Sequence, residues 1–256
     1  MAHWLIALGR IDIHHAVSTL ARFSHIATEE HFRDMVRVFQ YLNKYPDRYL
    51  EVRDTEIDVS KYTTGRNYDR IREDMKFYYP GAKIERDQAW PDPMGDGVNP
   101  IGFTDSDQAT DEVTGRSKTG VYTFVGSNLY KSTSKMQKSV SDSTYSAELK
   151  ALGAAVDDSK NLVFTMWSLG VNVNLPVKIF TDSKSVCDNV SIPGSPLKKK
   201  HEAIIYHKCR EGIATGFFEY YHIDGSENPT DINTKVTTRH VLFKNSSNMM
   251  YGQSLT

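Results

Sequence analysis

Apolar residues recur at helical spacing through the first fifty positions. In DIHHAVSTLARFSHI, the residues Ile13, Val17, Leu20 and Phe23 lie on one predicted face, and in TEEHFRDMVRVFQYLNKYP the stripe is Phe32, Val36, Phe39 and Leu42 behind Thr28 as N-cap. The pattern predicts a helical hairpin within 1–50 that packs on something else. From Arg53 to Pro100 periodicity dissolves, and YYPGAKIERDQAWPDPMGDGVNP is rich in proline and glycine, which predicts a linker or long loop. Tyr79 and Trp90 there read as buried loop anchors, with stacking on a base as the sharper alternative. After Pro100 the rhythm becomes strand-like. IGFTDSD reads as a strand ending in acid, and GVYTFVGSNLYKSTS as a hairpin turning at Gly126-Ser127-Asn128. A long helix follows, with Tyr145, Leu149, Leu152 and Val156 on one face; then come a strand at Val177–Thr181, a helix from near Ser183, the basic helix LKKKHEAIIYHKCREGIA, the strand GFFEYYHI, and a final helix opened by NPTDINTK. The order predicts an α/β domain built on one mixed sheet.

Composition narrows the class. The chain has 256 residues, 39% hydrophobic and 25% charged, with a formal net charge of −1, so no global field draws it to a polyanion and any such contact needs a local patch. Two cysteines, Cys187 and Cys209, make no disulfide framework and suit a reducing compartment. With neither a membrane-length apolar run nor a cleavable signal pattern, the expectation is a soluble intracellular protein, cytoplasmic or nuclear.

Carboxylates occupy parallel places in the predicted layout: Asp105 and Asp182 at strand ends, Glu148 beside the buried stripe of the long helix, Asp231 at the start of the final helix. Each has a plain reading, as a cap for Asp105, Asp182 and Asp231 and as a solvated helix residue for Glu148. Convergence of all of them at one end of one sheet points instead to a cation site, because clustered carboxylates repel one another unless a cation intervenes. An all-oxygen donor set favours Mg²⁺ or Mn²⁺ over zinc, and a pair of such ions hydrolyses phosphodiesters without a covalent intermediate.

These motifs carry a resemblance. GFTDSDQATDEVTGRSKTGVYTFVGSNLYKSTSKMQKSVSDSTYSAELKAL, IFTDSKSV, SIPGSPLKKKHEAIIYHKCREGIATG and NPTDINTK resemble the ribonuclease H region of copia-type (Pseudoviridae) retrotransposon polyproteins. LGRIDIHHAVSTLARFSHIATEEHFRDMVRVFQYLNKYP is similar to the preceding thumb and connection end of reverse transcriptase. The resemblance implies a ribonuclease H-like fold, with a five-stranded mixed sheet flanked by helices and preceded by an N-terminal helical hairpin. It divides the chain into a thumb/connection-like segment 1–52, a linker 53–98, a ribonuclease H-like domain 99–250 and a tail 251–256. It makes Asp105, Glu148, Asp182 and Asp231 the catalytic, metal-binding set for two Mg²⁺ ions, with Mn²⁺ as a substitute, and brings His222 near the family's catalytic histidine as a proton shuttle, a structural strand-end histidine being the alternative.

The implied activity is endonucleolytic hydrolysis of the RNA strand in RNA·DNA hybrids. The paired-aspartate polymerase motif is absent, so no DNA synthesis by this chain alone is expected. Phosphate contacts are expected from Arg116, Lys118, Lys135 and Lys138 around the hairpin, and from Lys198, Lys199 and Lys200 before the basic helix, where a merely solvated lysine run is the alternative. The expected partners are the hybrid and a reverse-transcriptase polymerase domain or other subunit of a larger assembly, with no membrane. The alternative function is a domesticated or fragmentary copy that serves as a structural or nucleic-acid-binding subunit; a different nuclease of the same fold is a third reading.

Overall fold

The computed structural model describes residues 2–247 and 249–251. In chain order its helices are α1 (Ala2–Ala7), α2 (His14–Ala21), α3 (Glu29–Lys44), α4 (Tyr68–Tyr78), α5 (Thr144–Ser168), α6 (Lys184–Ser191), α7 (Ala203–Ala214), α8 (Asp231–Thr234) and α9 (Arg239–Ser246). The strands are β1 (Tyr49–Leu50), β2 (Met94–Val98), β3 (Pro100–Asp107), β4 (Lys118–Val125), β5 (Asn128–Met136), β6 (Val171–Val173), β7 (Val177–Thr181), β8 (Phe218–His222) and β9 (Met250–Tyr251).

The central sheet has five strands in the order β5-β4-β3-β7-β8. Pairings β3–β4 and β4–β5 are antiparallel, whereas β7 runs parallel to both β3 and β8. This is the ribonuclease H-like mixed sheet that the resemblance implies. The β4–β5 hairpin turns through Gly126 and Ser127, and Gly126 takes a φ of +59°, a left-handed conformation that costs glycine little. Strand β7 buries Val177, Ile179 and Phe180, and helix α5 buries Leu149, Leu152, Val156 and Val163 in the same core. Each such side chain contributes roughly 2 to 3 kcal/mol on leaving water.

The N-terminal helices differ in detail from the sequence pattern. Thr28 does cap α3: its hydroxyl accepts from the His31 N–H at 3.4 Å, while His31 Nδ1 accepts from the Thr28 N–H at 3.1 Å. The stripe, however, is turned outward. Phe32, Val36 and Phe39 are 69%, 37% and 43% exposed, and α3 instead docks through Val38, Met35 and Leu42 onto Ile13 and Val17. One residue of rotation, about 100° around the helix axis, separates Val36 and Phe39 from the docked Met35 and Val38, and of the expected stripe only Leu42 joins the buried face.

Residues 53–98, expected as a linker or long loop, are also more ordered in structure than that reading allows. Helix α4 packs on α7, burying Tyr68 and Met75, and the Tyr68 hydroxyl both accepts from the Tyr220 N–H at 2.8 Å and donates to the Tyr220 carbonyl. Asn67 caps this helix by accepting from the Arg70 N–H at 3.1 Å. Charged residues at 69, 70, 72, 73, 74 and 76 dilute its short apolar stripe, which is why periodicity misses it. Strand β2 lies in the same segment and pairs with β6. Tyr79 and Trp90 pack against the core, as loop anchors do. The expected tail 251–256 lies, apart from Tyr251, outside the described residues. Among the described residues no helix is long and apolar enough to cross a membrane.

Candidate metal centre

Strands β3 and β7 run parallel with Thr104 opposite Thr181, so the next residues, Asp105 and Asp182, emerge side by side. Strand β3 continues two residues past Asp105, which rules out a helix-cap role for that side chain. Asp182 is not a cap either: Ser183 holds the N-cap position of α6. Helix α5 carries Glu148 over the same strand ends, and Glu148 is buried rather than solvated. One carboxylate oxygen from each of Asp105, Glu148 and Asp182 lies within 4.8 Å of the other two.

Three acids this close are under electrostatic strain. Burial, reinforced by the Asp105 and Asp182 charges, pushes the Glu148 carboxyl up to about 9. Burial and then the Asp182 charge push Asp105 up to about 6. Asp182 is raised as well, by burial first, against the opposing pull of Lys235. The Oε2 atom of Glu148 and the hydroxyl of Ser106 are buried without a hydrogen-bond partner. A buried carboxylate with an unpartnered oxygen, clustered with two further carboxylates, is what a hard divalent cation satisfies, and the all-oxygen donors suit Mg²⁺ or Mn²⁺.

Asp231 stands apart from this trio. It opens α8 as the sequence predicts, but α8 is a single turn and α9 is a separate helix after it. Lys235 Nζ holds Asp231 Oδ1 at 2.9 Å and also lies 3.7 Å from Asp105 Oδ2. Burial opposes the charge on Lys235, but Asp105, Asp231 and Asp182 together raise its pKa. Thr234 Oγ1 donates to the same Asp105 oxygen. Lys235 and Thr234 are functional candidates that the sequence reading missed; the available signal was a lysine four residues after Asp231, the spacing of a helical ion pair.

His222 ends β8 as an exposed residue, and its Nε2 lies 3.1 Å from the Asp182 carbonyl oxygen. The ring therefore touches the backbone of a site residue rather than a carboxylate of the trio.

The basic candidates divide. Lys118 is a correction: it is 2% exposed, and its Nζ donates to Thr19 Oγ1 at 2.6 Å and to the His15 carbonyl at 3.3 Å. At the start of β4 it lies beneath α2, so a phosphate cannot reach it. Arg116, Lys135 and Lys138 are exposed. Lys135 and Lys138 line a groove of about 660 Å³ together with Lys150, His201 and Lys208. Lys199 pairs with Asp142 at 2.8 Å, Lys198 lies 5.0 Å from the Tyr145 ring centroid, and Lys200 is exposed at the start of a 3₁₀ turn.

No protein-family model matches the chain. Among curated proteins it is 22% identical over 234 residues to the retrovirus-related Pol polyprotein from transposon RE1 of Arabidopsis thaliana, covering 91% of this chain and 13% of that protein. It is 33% identical over 150 residues to the corresponding polyprotein from transposon TNT 1-94 of Nicotiana tabacum, covering 56% of this chain and 11% of that protein. The chain thus spans about one-seventh of the length of these curated relatives. Among solved structures, the N-terminal ribonuclease H domain of a Mycobacterium tuberculosis protein matches with a TM-score of 0.42 at 16% identity, covering 59% of this chain and 98% of that one. A compost-derived ribonuclease H1 in complex with an RNA/DNA hybrid matches with a TM-score of 0.40 at 17% identity, covering 51% and 88%. On its likeness to transposon Pol polyproteins and on the strand order of its own sheet, this chain resembles the ribonuclease H region of a copia-type retrotransposon polyprotein.

Proposed function

We propose that residues 99–250 form a metal-dependent endonuclease that hydrolyses the RNA strand of RNA·DNA hybrids, with no polymerase activity of its own, and that 1–52 is a thumb/connection-like helical segment docked on it. The observation that carries this reading is the convergence of carboxylate oxygens of Asp105, Glu148 and Asp182 within 4.8 Å of one another in a largely buried setting.

In this reading Asp105, Glu148 and Asp182 hold two divalent cations, and Asp231 joins them from the adjoining α8. Bound cations supply charge stabilisation and activation of the attacking water. The chain's own residues set the rest. Thr234 orients Asp105 through its hydroxyl, and Lys235 balances the negative charge of Asp105 and Asp231. His222, with Nε2 donating to the Asp182 carbonyl, has its second ring nitrogen available to exchange a proton with the product side of the reaction. Lys135 and Lys138 in their groove, with Arg116 and Lys200, contact phosphates of the hybrid, while Lys198 and Lys199 brace the loop beside Tyr145 and Asp142. A polymerase domain of the same polyprotein is the proposed larger partner.

The test is incubation with labelled RNA·DNA hybrid, duplex RNA and duplex DNA, each with Mg²⁺, with Mn²⁺ and with EDTA. Metal-dependent cutting of the hybrid's RNA strand is expected. Hybrid binding without cleavage in any metal would replace this reading with the structural-subunit one, and preferential cutting of duplex DNA would replace it with another nuclease of the same fold.

A further inference from the structure

A polar seam joins α2 to α8 across the sheet edge. His14 Nδ1 lies 2.7 Å from Ser132 Oγ, and Ser18 Oγ lies 3.0 Å from Ser134 Oγ. His15 Nδ1 lies 3.3 Å from the Asn233 carbonyl oxygen, which also accepts from Ser134 Oγ at 2.6 Å. The fully buried Asn233 side chain donates to Ser132 Oγ at 3.0 Å and to the Thr133 carbonyl at 3.2 Å, and accepts from the Tyr122 hydroxyl at 3.3 Å. Asn233 is one residue from Thr234, two from Asp231 and two from Lys235, and these contact or neighbour Asp105.

Helix α8 has four residues, too few to hold its own position. Its placement is set by the bonds that reach it from outside, and one of these comes from the N-terminal helical segment. We propose that His15 is a positioning residue for the metal centre, fixing α8 through the Asn233 carbonyl so that Asp231, Thr234 and Lys235 stand correctly against Asp105. A carbonyl only accepts, so Nδ1 carries the proton, and burial keeps the ring neutral at neutral pH. The N-terminal segment is on this view a working part of the hydrolase. The inference deepens the ribonuclease reading and rests on it.

The experiment uses the full chain and compares wild type with His15→Ala, His15→Asn, Ser134→Ala and Thr19→Val. Binding of Mn²⁺ is read by titration calorimetry, hybrid cleavage as kcat and KM, and folding by melting curves. His15→Ala should weaken Mn²⁺ binding by about ten-fold, the low end for residues that orient metal ligands, and lower kcat with KM for the hybrid unchanged. His15→Asn, whose side-chain amide can donate to the same carbonyl, should restore most of both. Thr19→Val breaks the Lys118 contact and the hydroxyl's bond to the His15 backbone carbonyl at the same seam, but leaves the His15 ring and α8 in contact; it should lower the melting temperature and leave Mn²⁺ affinity as in wild type. Mn²⁺ binding by His15→Ala equal to wild type overturns the proposal, as does equal loss in His15→Asn or in Thr19→Val. If His15→Ala does not fold, Ser134→Ala decides, since it removes the other donor to the Asn233 carbonyl; unchanged Mn²⁺ affinity there overturns the proposal. A wild type that neither binds Mn²⁺ nor cuts hybrid removes the premise instead, and is told apart because no variant then differs from it.

Discussion

Lys235 Nζ sits 2.9 Å from Asp231 Oδ1, one helical turn away in sequence, and so holds the fourth acid beside the Asp105, Glu148 and Asp182 cluster instead of within it. The same ammonium lies 3.7 Å from Asp105 Oδ2. A cation that recruits Asp231 therefore competes with a lysine already in place.

Replacing that lysine should separate its two effects. Lys235→Met is expected to lower metal-free stability by about 1 kcal/mol, since the Lys235 side chain is 42% exposed and its pairing is partly screened. In a domain of this size that is roughly 2–4 °C. The stabilisation gained on adding Mn²⁺ should grow, because the competitor is gone. Melting curves with and without Mn²⁺ check this; a metal-induced shift unchanged from wild type would contradict the competition.

The carboxylates themselves should behave in opposite ways with and without metal. Glu148→Gln replaces a carboxyl that burial and two neighbouring charges force to take up a proton on folding at neutral pH with an amide that needs none, so the metal-free protein should melt at a higher temperature than wild type. Asp182→Asn should fold normally, bind hybrid, and cut it more slowly by roughly three orders of magnitude. Equal cleavage rates for Asp182→Asn and wild type would remove Asp182 from the site.

Lys118 and Lys138 were expected to do the same work, and the structure separates them. Lys118→Ala removes the buried ammonium's bonds to the Thr19 hydroxyl and the His15 carbonyl, the latter still accepting from Ser18 and Thr19, which costs about 1–3 kcal/mol. Its hybrid affinity should be unchanged at a temperature where it is folded. Lys138→Ala should show the reverse, with weaker, less salt-dependent hybrid binding and no change in melting. Binding isotherms at two salt concentrations decide the matter, and a loss of affinity in Lys118→Ala alone would reverse the assignment.

Acid should loosen the α2 seam. Burial first, then the nearby Lys118 charge, pushes His14 and His15 down to about 4 each; His3 adds to this at His14. An unfolded histidine titrates near 6.5, so between roughly 4 and 6.5 the unfolded chain binds more protons than the folded one. The contribution is fully present above about 6.5 and is lost as pH falls through that window, on the order of 1 to 3 kcal/mol per histidine. His15→Asn should flatten this part of the stability profile of the metal-free protein. A profile as steep as that of wild type would show that the seam does not carry the effect.

Much of the sheet was legible in the sequence, and so was the grouping of Asp105, Glu148 and Asp182: the β-rich runs carry Asp105 and Asp182 at or near their carboxyl ends, and the stripe of α5 fixes which way Glu148 turns. What was not legible depends on packing between distant segments. The stripe of Phe32, Val36 and Phe39 has good periodicity, yet periodicity cannot say which of two adjacent apolar faces meets α2. Helix α4 hides behind its charges and is stabilised by Tyr68 reaching across to β8. The burial of Lys118 follows from a helix a hundred residues earlier, a relationship no local pattern carries. The retreat of Asp231 was visible in principle, since Lys235 follows it by one turn.

Gly120 on β4 sets the mechanical tolerance of the whole arrangement. A Cβ there would meet Thr234 Cγ2 at 2.7 Å, Asn233 Cβ at 3.1 Å and the Thr230 carbonyl at 3.1 Å. The sheet is thus the anvil on which α8 rests, with a clearance smaller than one methyl group. A single added carbon would act as a shim, lifting the turn that carries Asp231 and Lys235 while leaving β3, β7 and α5 where they are. The distance between the fourth acid and the other three is therefore held by the absence of an atom, and this one dimension of the site can be lengthened without altering any residue that carries its chemistry.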